Sequence, residues 1–225
     1  MMENQFGENV RTYRDVLIRG SRLADNVVVA DDVFITGCEI DENVLVERRS
    51  MLFNSKIGAF TTMGWNNTIR NAEIGKFCSI AWNCTIGGAE HHLHRMTTSF
   101  FPFDKTYGIV DENREELEQA YAKPLSIGND VWITAGVQVL RGVTIGDGVV
   151  LGGGTIVTKD VPPYEIWAGV PSKKIGQRFS DEIIADLMEL KWWDLPVEII
   201  KENIELFRND IDLELMKEIK LKFQK

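Results

Sequence analysis

The sequence predicts an all-β solenoid, a parallel β-helix, from three observations. Similar blocks recur every 17 residues: "LADNVV" begins at 23, "IDENVL" at 40, "IGAFTT" at 57 and "IGKFCS" at 74. Within each block aliphatic residues start at spacings of six, six and five, as in Leu23, Val29, Ile35 and again Ile74, Ile80, Ile86. A small or β-branched residue stands four positions after the aliphatic, as at Val27, Val44, Thr61, Cys78, Cys84, Val131 and Val149. Neither a 3.6-residue helix nor simple alternation gives starts every six residues. Each hexad reads as a short strand plus a turn, and three hexads close one triangular coil. Stacked coils then bury their aliphatics only against their neighbours.

The elements follow in chain order. "FGENVR" at Phe6 fits the frame, with a less regular continuation, and the regular blocks run from Leu23 to Ile86. His91 falls 17 residues after Ile74, where another core aliphatic is due, so the chain leaves the coil there. Residues 90–126 form a long excursion, and long loops without a repeat are commonly functional. The excursion opens with all three histidines (His91, His92, His94), runs through "TTSFFPFDKTYG" and ends in "DENREELEQAYAK", where a short helix is expected. The rhythm resumes at Ile127, Ile133, Val139, Ile145, Leu151 and Val157, now advancing by six each time.

From Ser180 the period becomes helical. Ser180 or Asp181 suits an N-cap, Pro196 a first helical turn, and Ile183, Ile184, Leu187 and Leu190 make an apolar stripe. These helices are expected to cover the open end of the solenoid. The expected organisation is a β-helix domain over 1–179, with its excursion at 90–126, and a helical extension over 180–225.

Composition narrows the function. A net charge of −9 and a pI near 5.0 argue against general nucleic-acid binding, which needs a basic face. Cys38, Cys78 and Cys84 do not make a disulfide framework. Cys78 and Cys84 occupy the small inward position and read as buried hydrophobes. No apolar stretch approaches the ~20 residues of a membrane span. With a polar N-terminus lacking a signal-like apolar run, the expected home is a reducing cytoplasm. Against the acidic background, residues 166–179 carry Lys173, Lys174 and Arg178 and no carboxylate, a local cationic cluster suited to phosphates. Trp132 follows the inward Val131 and should point outward.

These hexads, with "IGNDVWITAGVQVLRGVTIGDGVVLGGGTIVTKDVPPYEIWAGVPSKKI" (127–175), resemble the hexapeptide-repeat acyltransferases. "RFSDEIIADLMELKWWDLP" (178–196) is similar to the xenobiotic branch, which acetylates chloramphenicol or streptogramin-type antibiotics. The resemblance implies a left-handed parallel β-helix, against the usual right-handed crossover rule. It also implies acetyl-CoA as donor, a small-molecule hydroxyl acceptor, and a homotrimer with sites between subunits. Gly88-Ala89-Glu90-His91 matches the family's stretch before its general base, so His91 is the implied catalytic residue, while His92 and His94 fall at variable positions. Trp132, Ala135, Gly153, Thr158, Lys159 and Lys173 fall at positions of coenzyme contact. Gly176 stands where relatives often have arginine, with Arg178 two residues on.

The chemistry asked of His91 follows from first principles. Moving an acetyl group from a thioester to an alcohol requires a base as the bond forms, and imidazole, with a reference pKa near 6.5, suits neutral pH. The developing oxyanion calls for donors, expected from backbone N–H groups along a coil edge. Direct attack is expected, since no Ser or Cys beside His91 forms an obvious nucleophile motif. Two other classes compete. A γ-carbonic-anhydrase-like zinc enzyme needs histidines from separate coils, whereas here all three lie within four residues, so no metal is expected. A non-catalytic scaffold would need neither His91 nor the basic "GVPSKK" end. Among acceptors, antibiotics lead, with sugars or cell-envelope precursors as the alternative.

Overall fold

In the computed structural model, which describes residues 3–223, short strands line up in three sheets that form the faces of a prism. Face 1 holds seven strands from Gln5–Phe6 to Thr144–Ile145, and face 3 seven from Leu17–Arg19 to Ile156–Val157. Face 2 holds nine, from Arg11–Thr12 to Lys173–Gln177. Neighbouring coils pair in parallel at the predicted register, Lys56 against Glu73 and Ile57 against Ile74. After the excursion the chain rejoins without slippage: Glu73 pairs with Ser126, Ser79 with Trp132 and Thr85 with Gln138. A one-residue slip would turn every core side chain outward, so burial of one face fixes the register.

The predicted aliphatics build the core. Leu23, Val29, Ile35, Ile80, Ile86, Ile133, Ile145 and Val157 are all buried, and Cys38, Cys78 and Cys84 are buried free thiols. Phe6, in the first coil, is 53% exposed because no coil covers it on one side. At each corner the chain bends through the left-handed region, at Asn9, Asn26 and Asn43 between faces 1 and 2 and at Asp15, Asp32, Asn66 and Asn83 between faces 2 and 3. Asn and Asp bear that conformation at low cost because their side chains bond locally. A polar column also runs inside the prism. Fully buried Asn67 donates from Nδ2 to the Gly64 and Ala81 carbonyls at 2.7 and 2.8 Å, and its Oδ1 accepts from the Cys84 N–H at 2.8 Å.

The excursion carries the expected short helix, α1 (Glu115–Gln119). The tail forms α2 (Asp181–Leu190), α3 (Val197–Glu202) and α4 (Leu213–Phe223). Ser180 caps α2, accepting from the Ile183 N–H at 3.4 Å. None of these helices is long and apolar enough to cross a membrane among the described residues.

The helices differ from expectation in where they lie. Ile183, Leu187, Trp193, Met216 and Ile219 form a second core with Tyr164 and Phe77, which are corner residues between faces 1 and 2. That corner is aromatic, with Phe60 stacked on Phe77 at 4.9 Å and Phe77 tilted against Trp192 at 4.8 Å. The apolar surface needing cover is therefore on the side of the prism. Its C-terminal coil is filled instead by Trp167, which joins the solenoid core.

Candidate active site

Two regions of the prism gather the predicted residues. The first is the mouth of the excursion, at the corner after face 3. Thr85–Ile86 end their strand, Gly87 turns through φ +83°, and His91 stands exposed a few residues on. A side chain at Gly87 would meet the Arg70 carbonyl and the Arg141 guanidinium, so only glycine fits that exit. The His91 ring rests against Phe100 with centroids 4.2 Å apart, and its Nδ1 lies 2.5 Å from the Thr98 carbonyl oxygen. A carbonyl only accepts, so Nδ1 carries a proton, and in the neutral ring the lone pair is on Nε2. His92 lies edge-on to Phe103 at 6.3 Å, and His94 is exposed.

The second region runs across face 2 to its corner with face 3. Trp132, 53% exposed, pairs with Ser79 and Val150 on face 2, beside a depression of about 330 Å³ also lined by Phe77, Asp130 and Arg178. Ala135 and Gly153 sit on successive coils of the corner, joined by the Gly154 N–H donating to the Ala135 carbonyl at 2.9 Å. A Cβ at Gly153 would lie 3.6 Å from that carbonyl, so its absence keeps the edge open for a close-lying chain. Lys173 opens the last strand of face 2, opposite Ala168. Thr158 and Lys159 lie apart from this group, exposed beyond the far end of face 3, with the Lys159 ammonium 5.1 Å over the Trp167 ring.

Among the predicted cations, Lys173 is exposed and takes no ion pair among the described residues. Lys174 pairs with Glu165 at 2.7 Å. Glu165 is partly desolvated, which alone would raise its carboxyl. Lys174 and the Trp167 indole N–H hold it below the ordinary range instead. Arg178 donates to Asp130 at 2.7 Å and to the Gly148 carbonyl at 3.0 Å, over the Tyr164 ring. Burial pushes the Asp130 carboxyl up, opposed by this guanidinium.

The two regions do not meet in one chain. In a three-sided prism the corner from which His91 departs lies opposite face 2, which carries Trp132. Sequence reasoning missed Thr98 and Phe100, which orient His91, and the partners Asp130 and Glu165. It also missed Arg141, 7% exposed, whose guanidinium faces the carbonyls at the base of the excursion.

The comparisons fit this geometry. Residues 124–159 match the family model described as bacterial transferase hexapeptide (six repeats). Over 128 residues the chain is 39% identical to a probable macrolide acetyltransferase of Lysinibacillus sphaericus, covering 56% of this chain and 70% of that protein. The chain belongs to the hexapeptide-repeat acetyltransferases. Within the family it is 43% identical over 81 residues to a chloramphenicol acetyltransferase of Morganella morganii, 36% of this chain and 39% of that one. It is also 53% identical over 59 residues to a galactoside O-acetyltransferase of Escherichia coli K12, 26% of this chain and 29% of that protein. The matches to antibiotic acetyltransferases place it on the xenobiotic branch, and the left-handed winding is that of hexapeptide-repeat acetyltransferases generally.

Proposed function

We propose that this acetyltransferase moves the acetyl group of acetyl-CoA to a hydroxyl of a small antibiotic-type molecule, with His91 as general base. One observation carries the reading: Nδ1 of His91 is tied to the Thr98 carbonyl while Nε2 is left with a lone pair at the loop mouth. Nε2 takes the acceptor's hydroxyl proton as the oxygen attacks the thioester carbonyl. The imidazolium then returns that proton to the departing thiolate. The Thr98 carbonyl accepts from Nδ1–H throughout and so keeps the ring's orientation fixed while Nε2 takes and gives the proton. The three buried thiols offer no competing nucleophile: desolvation raises Cys38, Cys78 and Cys84 above the ordinary thiol range.

The open edge at Ala135 and Gly153 suits the pantetheine arm, Trp132 the region near the thioester, and Lys173 the phosphates. Lys159 and Thr158 line the far end of face 3, while Lys174 and Arg178 reach phosphate only by sharing their carboxylate partners. The separation of His91 from Trp132 supports a homotrimer in which the excursion of one subunit serves the coil face of the next. Outward Trp82 and Trp132, 45% and 53% exposed, suit burial at such a boundary.

A sugar acceptor is the second reading, favoured by the likeness to the galactoside enzyme. The test is release of free thiol from acetyl-CoA with chloramphenicol, a streptogramin A compound and nucleotide sugars as acceptors. Turnover with an antibiotic supports the first reading, turnover with sugars alone the second. Acetylation of none of them refutes both.

A further inference from the structure

The corner between faces 3 and 1 is knitted by a repeated rung. Gly37 N–H donates to the Arg19 carbonyl, Asn54 N–H to that of Thr36 and Asn71 N–H to that of Phe53. The next rung would run from Gly88 N–H to the Arg70 carbonyl. It is not made among the described residues, because the chain departs there into the excursion. A side chain from the coil above fills the gap. Arg141 Nη2 donates to the Arg70 carbonyl at 2.5 Å and to that of Gly87 at 2.7 Å, and Nε donates to that of Gly88 at 3.2 Å. Nη1 faces the carbonyls of Asn71 at 3.0 Å, Lys123 at 3.2 Å and Tyr121 at 3.4 Å.

A guanidinium has five N–H donors in a rigid fork, and here all are directed at main-chain oxygens. Gly87 and Gly88 belong to the outgoing limb of the excursion, Tyr121 and Lys123 to the returning one. Arg141 is 7% exposed and takes no carboxylate partner among the described residues. Burying a charge is costly unless it is fully hydrogen-bonded, so this arginine is held only while both limbs are in place. Beside it, the Glu90 N–H donates to the Ala120 carbonyl at 2.9 Å, and Lys123 meets Glu90 at 2.8 Å in an ion pair whose side chains are 61% and 45% exposed. Exposed pairs of that kind contribute little. The buried clamp therefore sets the geometry of the mouth, and His91 stands three residues beyond Gly88.

We propose that Arg141 is the positioning residue for His91. By fixing both limbs it determines where the imidazole meets the reacting atoms. The proposal rests on the reading of His91 as general base, and it names no contact between Arg141 and substrate. Lysine cannot replace it, having three donors on a point charge and no fork.

The test is Arg141→Ala with and without added guanidinium, read in two ways. Displacing a catalytic group by about 1 Å can cost ~100-fold, so kcat should fall by that order with little change in KM for acetyl-CoA. Added guanidinium should restore part of kcat. The second readout needs no turnover. All three imidazoles lie in the excursion, so histidine-labelled protein gives three ring signals, of which His91→Gln removes one. The His91 signal should lose its fixed Nδ1–H signature in Arg141→Ala and regain it with guanidinium. An unchanged kcat or an unchanged His91 signal would overturn the proposal. If Arg141→Ala does not fold, Arg141→Lys should show the same ring change in a folded chain, and an unchanged ring there also overturns it. Failure of the acetyl-transfer reading would look different: no turnover in the unmodified protein, with the ring signals still responding to Arg141.

Discussion

Arg178 and Asp130 are bound to each other at 2.7 Å, with side chains only 28% and 25% exposed, across the base of the depression beside Trp132. This bond separates two cations that look equivalent in the sequence. Removing Arg178 leaves Asp130 and the Gly148 carbonyl short of a donor, at roughly 1–3 kcal/mol for a buried group left unpaired. Arg178→Ala should therefore lower the unfolding free energy by about that amount, read as an earlier urea midpoint. Lys173→Ala, at an exposed cation with no ion pair among the described residues, should leave the midpoint in place and raise KM for acetyl-CoA several-fold. The reverse pattern would reassign the phosphate ligand to Arg178.

The three adjacent histidines should differ sharply in kinetics. His91→Ala removes the proposed base, for which proton transfer contributes about 10²–10⁴-fold, and kcat should fall within that range while coenzyme binding persists. His92→Ala and His94→Ala should keep near-normal turnover. Steady-state rates of the three variants decide it, and near-normal turnover in His91→Ala would remove the proposed mechanism.

Asn67 should be the most costly polar residue of the solenoid to replace by an apolar one. Asn67→Leu strands the Ala81 carbonyl and the Cys84 N–H in the interior and leaves the Gly64 carbonyl with the Ser50 hydroxyl alone. At roughly 1–3 kcal/mol each, the loss outweighs the added apolar contact. Gln138→Ala, on an outward face, should change stability by less than about 0.5 kcal/mol. Denaturation curves of the two variants give the comparison.

Cys78 gives a pH signature. Burial pushes its thiol from 9.0 up to about 12, helped slightly by Asp130 and Asp147. Between those values the unfolded chain has released the proton that the folded chain keeps. Stability is thus intact below about pH 9 and declines as pH climbs toward 12. Unfolding free energies measured from pH 8 to 11 should fall less steeply in Cys78→Ala than in the unmodified protein. The native thiol should also resist alkylating reagents at pH 8.

The prism was legible because its period is local and strict. Leu23, Ile40, Ile57 and Ile74 need only their spacing to announce a common column, and the break before His91 announces the excursion. Pairings between distant segments were not legible. Arg178 reads as one more free cation until the fold sets it against Asp130, 48 residues earlier. Arg141 reads as a solvated corner residue until Arg70, Gly87 and Lys123 bring their carbonyls to it. The placement of α2 and α4 depended on Phe60, Phe77 and Tyr164 sharing one corner, which requires knowing that corners stack.

The strict register before the excursion has a consequence for length. Because Gln5 pairs with Arg22 and Arg22 with Glu39 at one unvarying offset, a whole lap of chain, such as 22–38, can be excised and the flanking laps will still find matching partners. The shaft beneath the histidine mouth is thus adjustable in height, one storey at a time, whereas loss of a single residue within a storey misaligns the rungs that storey shares with its neighbours.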